Sequence, residues 1–262
     1  MAEAAQEHAL LQLSELHLNF GGLVVLNGIS LEVGRGELLA LIGPNGAGKT
    51  SVLNCISLLY RPSRGSMLFE GEDLAGLSPH RVARRGIART FQLGGLFPHL
   101  TVLQNLLVGR HAHFRSNVVL DGVFWGRSRA NEIAQRAAAE EIIEFFELER
   151  YRGELVSRLP FGVQKIVGFA RALAMEPRLL LLDEPSAGLN REAREDLSRF
   201  ILRIKHEKGI GMIWVEHDMQ MVADLADRIY VMDYGAYIAD GEPREVLADP
   251  RVVEIYLGSK GN

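Results

Sequence analysis

Cysteine is all but missing from this chain: Cys55 is the only one in 262 residues. No disulfide can close within it, which suits a reducing cytosol. Placed in an expected helix, Cys55 reads as a small buried hydrophobe rather than a reactive thiol. No run of about 18 apolar residues occurs, so no segment is expected to cross a membrane. Met1-Ala2-Glu3-Ala4-Ala5-Gln6-Glu7 lacks the basic start and apolar centre of a secretion signal. A basic excess is also absent. The formal net charge of −4 argues against a dedicated nucleic-acid binder, and no nucleic-acid partner is expected. Internal repeats and low-complexity tracts are not found. His8, His17, His80, His99, His111, His113 and His206 show no metal-ligand spacing. What is present is 47% apolar residues, enough for a substantial core and too much for general disorder.

The most informative stretch is Gly43-Pro44-Asn45-Gly46-Ala47-Gly48-Lys49-Thr50, continued by Ser51. A glycine, four free positions and Gly-Lys-Thr make the phosphate-loop pattern. Glu37–Ile42 before it is a short apolar run that reads as a buried strand. Ser51–Leu59 after it spaces its apolar residues as an amphipathic helix. Strand, glycine turn and helix form the context the motif requires. The glycines let backbone N–H groups curl round an anion, and the helix start adds a favourable dipole. Lys49 supplies a mobile positive charge, and Thr50 can offer its hydroxyl to Mg²⁺. The loop is expected to bind a nucleoside triphosphate.

The rest of the chain alternates between α/β and helical character. Leu11–Phe20 alternates apolar and polar residues, the period of a half-buried strand, and ends at the turn Gly21-Gly22. Val24–Leu26 with Ile29–Val33 supplies a further strand, and Ser66–Glu70 another. Phe20, at a strand end, reads by itself as a core residue. Thr90-Phe91-Gln92 closes a strand-like piece ahead of a flexible Leu93-Gly94-Gly95 joint. Beyond it, Ala138, Ile142, Phe145 and Phe146 fall on one helical face, the mark of a helical lobe inserted into an α/β core. His111–Gly126 shows poor periodicity and is not placed. Arg178–Leu182 restores the core signal as a fully buried parallel strand. Arg191–Glu207 reads as a helix, and Gly211–Val215 and Arg228–Met232 as strands.

A phosphate loop needs a metal partner and a group that orients water. Asp183, closing the leucine strand, is placed to hold Mg²⁺. Glu184, the next residue, is the natural general base. Adjacent acids are common on surfaces, but at the end of a buried strand they are costly without a partner or a role. His217 ends another strand expected beside the phosphates and reads as a γ-phosphate contact. Gln92, at the hinge, carries an amide that could coordinate Mg²⁺ and report the position of the lobe. Strand ends carrying such groups gather on one edge of an open sheet, where ligands bind.

Taken together, these residues resemble the ATP-binding cassette family over almost the whole chain. The phosphate loop, Thr90-Phe91-Gln92, Asp183-Glu184-Pro185-Ser186-Ala187-Gly188-Leu189 and Glu216-His217-Asp218 stand in that family's order and spacing. Leu159-Pro160-Phe161-Gly162-Val163-Gln164-Lys165 stands where the family carries its signature, usually Leu-Ser-Gly-Gly-Gln. The resemblance implies a phosphate-loop NTPase core with a mixed sheet (residues 1–92 and 166–240). It also implies an inserted helical subdomain bearing the signature (93–165) and a C-terminal helical tail (241–262), all within one ATP-binding domain. It implies two cassettes sandwiching two ATP molecules, each between one subunit's phosphate loop and the other's Leu159, Pro160, Phe161 and Gly162. Phe20 would stack on adenine, Gln92 would occupy the Q-loop, Glu184 would activate water and His217 would be the switch histidine. Ser186–Asn190 would cross the dimer interface, with Asn190 where an aspartate is common.

Within the family the chain looks most like the ATPases of branched-chain amino-acid importers. Phe20-Gly21-Gly22, the long insertion between Gln92 and Leu159, the aromatic Phe161 and the ending Asp249–Gly258 carry that likeness. Expected partners are transmembrane permease subunits, a second ATPase and, indirectly, a periplasmic solute-binding protein. The expected location is the cytoplasmic face of the cell membrane, with ATP and Mg²⁺ as cofactors. Rival readings are a lipopolysaccharide-export ATPase, a soluble cassette in translation or repair, and a non-hydrolysing nucleotide binder. Glu184 counts against the last. Soluble cassettes usually carry two cassettes in one chain or a long coiled coil, and neither is seen.

Overall fold

The computed structural model describes residues 9–90, 95–113 and 127–258. Its strands in chain order are β1 Ala9–Phe20, β2 Leu23–Gly34, β3 Leu38–Ile42, β4 Arg64–Phe69 and β5 Glu72–Asp73. They continue as β6 Ile87–Thr90, β7 Leu179–Asp183, β8 Gly211–Val215, β9 Arg228–Asp233 and β10 Ala236–Gly241. The unbroken apolar runs of β3, β7 and β8 are buried at every residue, as strands covered on both faces must be. β1 and β2 instead alternate buried and exposed positions, and they pair antiparallel with a core on one face only. Val24–Leu26 and Ile29–Val33 are thus parts of one strand.

Two sheets result, in the orders β2-β1-β4-β5 and β10-β9-β3-β8-β7-β6. The second is mixed. β3 pairs parallel with both β8 and β9, β7 pairs parallel with β8, and β10 runs antiparallel to β9. Because β3, β7 and β8 are parallel, the segments that follow them leave from the same edge. Those segments are the phosphate loop, Glu184, and Glu216 with His217. Topology alone therefore assembles the site.

The chain forms two compact units: residues 9–89, 178–187 and 198–258 in the first, and 90–177 with 188–197 in the second, counting described residues. The second unit is helical, with helices Val102–Gly109, Arg127–Phe145 and Phe161–Leu173. Thr101 starts the first of these with a capping box: its side chain accepts from Gln104 N–H while the Gln104 side chain accepts from Thr101 N–H. In helix Arg127–Phe145 the most buried stripe is Gln135, Ala139 and Ile143, one position round from the expected Ala138 and Ile142. A polar anchor explains the rotation. Buried Arg110 donates to Gln135 Oε1 at 2.7 Å and to Glu176 Oε1 at 2.8 Å, so Gln135 faces inward where the apolar pattern alone points elsewhere. Of the unplaced stretch, Arg110–His113 forms a 3₁₀ turn and residues 114–126 lie outside those described.

Candidate nucleotide site

The phosphate loop leaves β3 at Ile42 and enters helix Lys49–Ile56. Gly43 has φ 152°, and a Cβ there would sit 2.0 Å from the Met232 carbonyl oxygen. Gly48 has φ 100°, with Leu26 Cδ2 2.9 Å from where its Cβ would be. No other residue fits either place without moving backbone or core. Gly235 N–H donates to Ala47 O at 2.9 Å, fixing the loop to the β9–β10 turn. The loop, Val25, Lys49, Thr50, Ser51 and Glu184 line a cavity of about 330 Å³.

Lys49 is 6% exposed, and its Nζ donates to Gly43 O at 2.7 Å and Pro44 O at 2.8 Å. Burial lowers its pKa, opposed by the charges of Glu184 and Asp183. An ammonium held on carbonyls inside a glycine loop can turn to phosphate oxygens with little reorganisation.

Asp183 is buried at the end of β7. Thr50 Oγ1 donates to its Oδ1 at 3.3 Å, while Arg89 Nη2 donates to its Oδ2 at 2.7 Å. Hydroxyl and carboxylate oxygens are hard donors of the kind Mg²⁺ prefers. Among the described residues no group of three or more His, Cys, Asp or Glu could hold a metal. The Thr50 hydroxyl and the Asp183 carboxylate fit a cation that completes its shell with water and substrate phosphates.

Glu184 has φ 47°, the left-handed region that a non-glycine residue enters at a cost of order 1–3 kcal/mol. Its N–H donates to Val215 O at 3.0 Å, so the neighbouring strand holds it there. Its carboxylate is 2.8 Å from His217 Nε2. Glu216 fixes the turn under His217, its Oε1 accepting the His217 N–H at 2.9 Å. Asp218 then caps helix Met219–Leu225 by accepting from Met221 N–H at 3.2 Å. Glu184 and His217 are thus held by a strained backbone, a capped helix and a direct hydrogen bond.

In the helical unit, Leu159 and Pro160 lead into helix Phe161–Leu173, and the proline gives no side-chain cap. At that end Gln164 Nε2 donates to Leu159 O at 2.8 Å, which ties the entry turn but gives the free helix N–H groups no acceptor. Phe161 is exposed, and its ring would be 3.1 Å from a Cβ on Gly188. Gly162 leaves room for Ala193, 3.0 Å from its missing Cβ. Asn190 Oδ1 accepts from Ala193 N–H at 2.9 Å, an N-cap that asparagine makes as well as aspartate.

The structure brings Gly43–Ser51, Asp183, Glu184 and His217 together at one sheet edge. Gln92 lies outside the described residues. Phe20 is not a core residue: it is 49% exposed and meets Tyr60 edge-to-face with centroids 5.1 Å apart. Arg89 and Asn54, which the structure ties to Asp183, were missed by sequence reasoning. Nothing in an isolated strand arginine or helix asparagine marks them; only the fold brings them to the site.

A strand, glycine loop and helix, with two acids and a histidine on the same edge, define a phosphate-loop nucleoside triphosphatase. The family description "ABC transporter" matches residues 26–187, and "Branched-chain amino acid ATP-binding cassette transporter" matches residues 238–261. The high-affinity branched-chain amino acid transport ATP-binding protein BraF of Pseudomonas aeruginosa is 38% identical, over 95% of this chain and 98% of that protein. LivG of Escherichia coli, described in the same words, is 37% identical over 95% and 98%. A crystal structure of an ATP-binding cassette of an ABC transporter in its ADP conformation matches with TM-score 0.82 and 32% identity, covering 95% of this chain and 99% of that one. The chain belongs to the ABC transporter family, as one of its ATP-hydrolysing cassettes.

Proposed function

We propose that this chain is the motor subunit of an importer for branched-chain amino acids or a related amphipathic solute. The names of its relatives and the match at residues 238–261 support that substrate class. The observation that carries the chemistry is the 2.8 Å contact of Glu184 with His217 beside the loop cavity. In this reading Lys49 and the loop N–H groups hold the β- and γ-phosphates, and Thr50 and Asp183 hold Mg²⁺, which screens the developing charge. Glu184 takes the proton of the attacking water and His217 orients both. Phe20, with Tyr60 against its edge, carries the adenine, and Gln92 links the site to the helical unit.

The cassette works as a pair in this reading, with Leu159–Gly162 of each copy or of a related chain closing the opposite site. It acts at the cytoplasmic face of the membrane on permease subunits, fed by a periplasmic solute-binding protein. Among the described residues no helix is long and apolar enough to cross a membrane, so transport by this chain requires such a partner. Leu96, Phe97 and Leu100 follow Gln92, and Phe97 is 47% exposed, which makes this segment the proposed permease contact. The test is to reconstitute the chain with permease subunits of a branched-chain amino-acid importer. ATPase stimulated by a binding protein loaded with leucine, isoleucine or valine supports the reading, and stimulation only by unrelated solutes overturns the substrate class. In the same system Phe97→Glu is expected to abolish uptake while leaving basal ATPase intact. Unimpaired uptake would remove the contact from this segment.

A further inference from the structure

Arg89 lies on β6, outside the phosphate loop and the acid pair, yet its side chain is only 11% exposed. Its Nη2 donates to Asp183 Oδ2 at 2.7 Å and its Nη1 to Asn54 Oδ1 at 2.5 Å. Asn54 lies four residues after Thr50 on helix Lys49–Ile56, so both project from one face of that helix. Thr50 in turn reaches the other oxygen of Asp183, at 3.3 Å. Thr50, Asp183, Arg89 and Asn54 therefore close a ring: hydroxyl to Oδ1, guanidinium to Oδ2, guanidinium to amide, and helix back to hydroxyl.

A carboxylate at the end of a buried strand can rotate about its last bond, and each rotamer aims a different oxygen at the nucleotide. The planar fork of arginine fixes that rotation, as a lysine point charge cannot. Here Nη2 takes Oδ2, Nη1 is tied to Asn54, and Oδ1 is left facing Thr50.

We propose that Arg89, anchored by Asn54, is a positioning residue for the cation of the nucleotide site. It holds the carboxylate plane of Asp183 so that Oδ1 and the Thr50 hydroxyl converge on one point. This rests on the reading that Thr50 and Asp183 hold Mg²⁺. Two effects of Arg89 oppose each other. Its positive charge near a cation site repels the cation, whereas its hydrogen bonds preorganise the ligand. Loss of an outer partner of a metal ligand typically weakens metal binding by about 10–100-fold, which favours preorganisation as the larger effect. Asn54 separates the two, because removing it changes no charge.

The experiment uses the full chain carrying Glu184→Gln, so that ATP persists, and titrates Mn²⁺ into the ATP-loaded protein. The free Mn²⁺ signal in electron paramagnetic resonance reads occupancy, independent of turnover. Arg89→Gln is expected to weaken Mn²⁺ binding by about tenfold. Arg89→Lys is expected to recover only part of that loss. Asn54→Ala should weaken binding by about two- to fivefold, through lost orientation alone. ATP affinity in excess EDTA is expected to stay within about twofold in all three. Unchanged or tighter Mn²⁺ binding in Asn54→Ala and Arg89→Lys overturns the proposal and makes Arg89 a competing cation. Asp183→Asn serves as the control. If it too leaves Mn²⁺ binding unchanged, the metal reading fails; if it alone weakens binding, only the role of Arg89 fails.

Discussion

Single side chains in this site are proposed to do unlike jobs, and single substitutions separate them. Lys49→Ala removes a largely buried ammonium from the loop. ATP affinity is expected to fall by about one to two decades, the scale of a charge-assisted hydrogen bond. Equilibrium binding of a fluorescent ATP analogue measures it, and unchanged affinity in a folded variant would remove Lys49 from phosphate binding. Glu184→Gln keeps the shape, and an amide can still accept from or donate to His217. Binding should persist while turnover falls by about 100-fold or more, the usual contribution of a general base. Wild-type turnover would transfer the base to another group, with His217 the first to test. The left-handed backbone of Glu184 was not readable from the sequence: Asp-Glu at a strand end specifies chemistry, while the φ of 47° depends on the bond to Val215 across the sheet.

At the scale of one element, the start of helix Phe161–Leu173 departs most from the family pattern. Proline supplies neither hydroxyl nor N–H, and Pro160 stands where the family usually has serine. Its extended backbone, φ −55° and ψ 148°, still starts the helix cleanly. The Gln164 side chain is engaged on Leu159 O, so it stabilises the turn rather than replacing the serine as an anion donor. Two signature segments with this proline would give two weakened ATP sites, and a partner chain with serine would make one of them strong. Pro160→Ser is expected to raise ATP affinity of the isolated cassette's dimer by about tenfold, one charge-assisted hydrogen bond. Steady-state ATPase at limiting and saturating ATP is the measurement. No gain in either regime would leave the case for an unlike partner without this support.

Across the whole molecule, burial sets how the fold responds to alkali. The phenols of Tyr230 and Tyr256 and the thiol of Cys55 are each pushed up to about 12, in every case chiefly by desolvation. The folded chain therefore keeps protons that the unfolded chain releases above about pH 8.5 for cysteine and about 10 for tyrosine. Stability from these groups is complete below those values and is lost as the pH climbs towards 12. Tyr256 lies on helix Pro250–Gly258. Tyr256→Phe removes one titrating group. Its urea midpoint is expected to fall less steeply than that of the parent between about pH 9 and 11. Parallel curves would show that the Tyr256 proton does not contribute to the loss.

The local chemistry of this protein was written in its sequence. Loop glycines flanked by a buried strand and a helix, and acids closing a leucine run, have few other physical solutions. Each is specified by neighbours within about ten residues, as periodicity and turn chemistry are. The pairing of β3 with both β8 and β9 is not local, and no short-range pattern encodes it. That pairing sets Gly43 under Met232, and the equally non-local pairing of β7 with β8 brings Glu184 to His217. Neither by itself shows the Arg89 fork, the exposure of Phe20 against Tyr60, or the inward turn of Gln135. Those depend on side chains from distant segments satisfying one another's buried polar and aromatic surfaces, and that is settled only when the chain has packed.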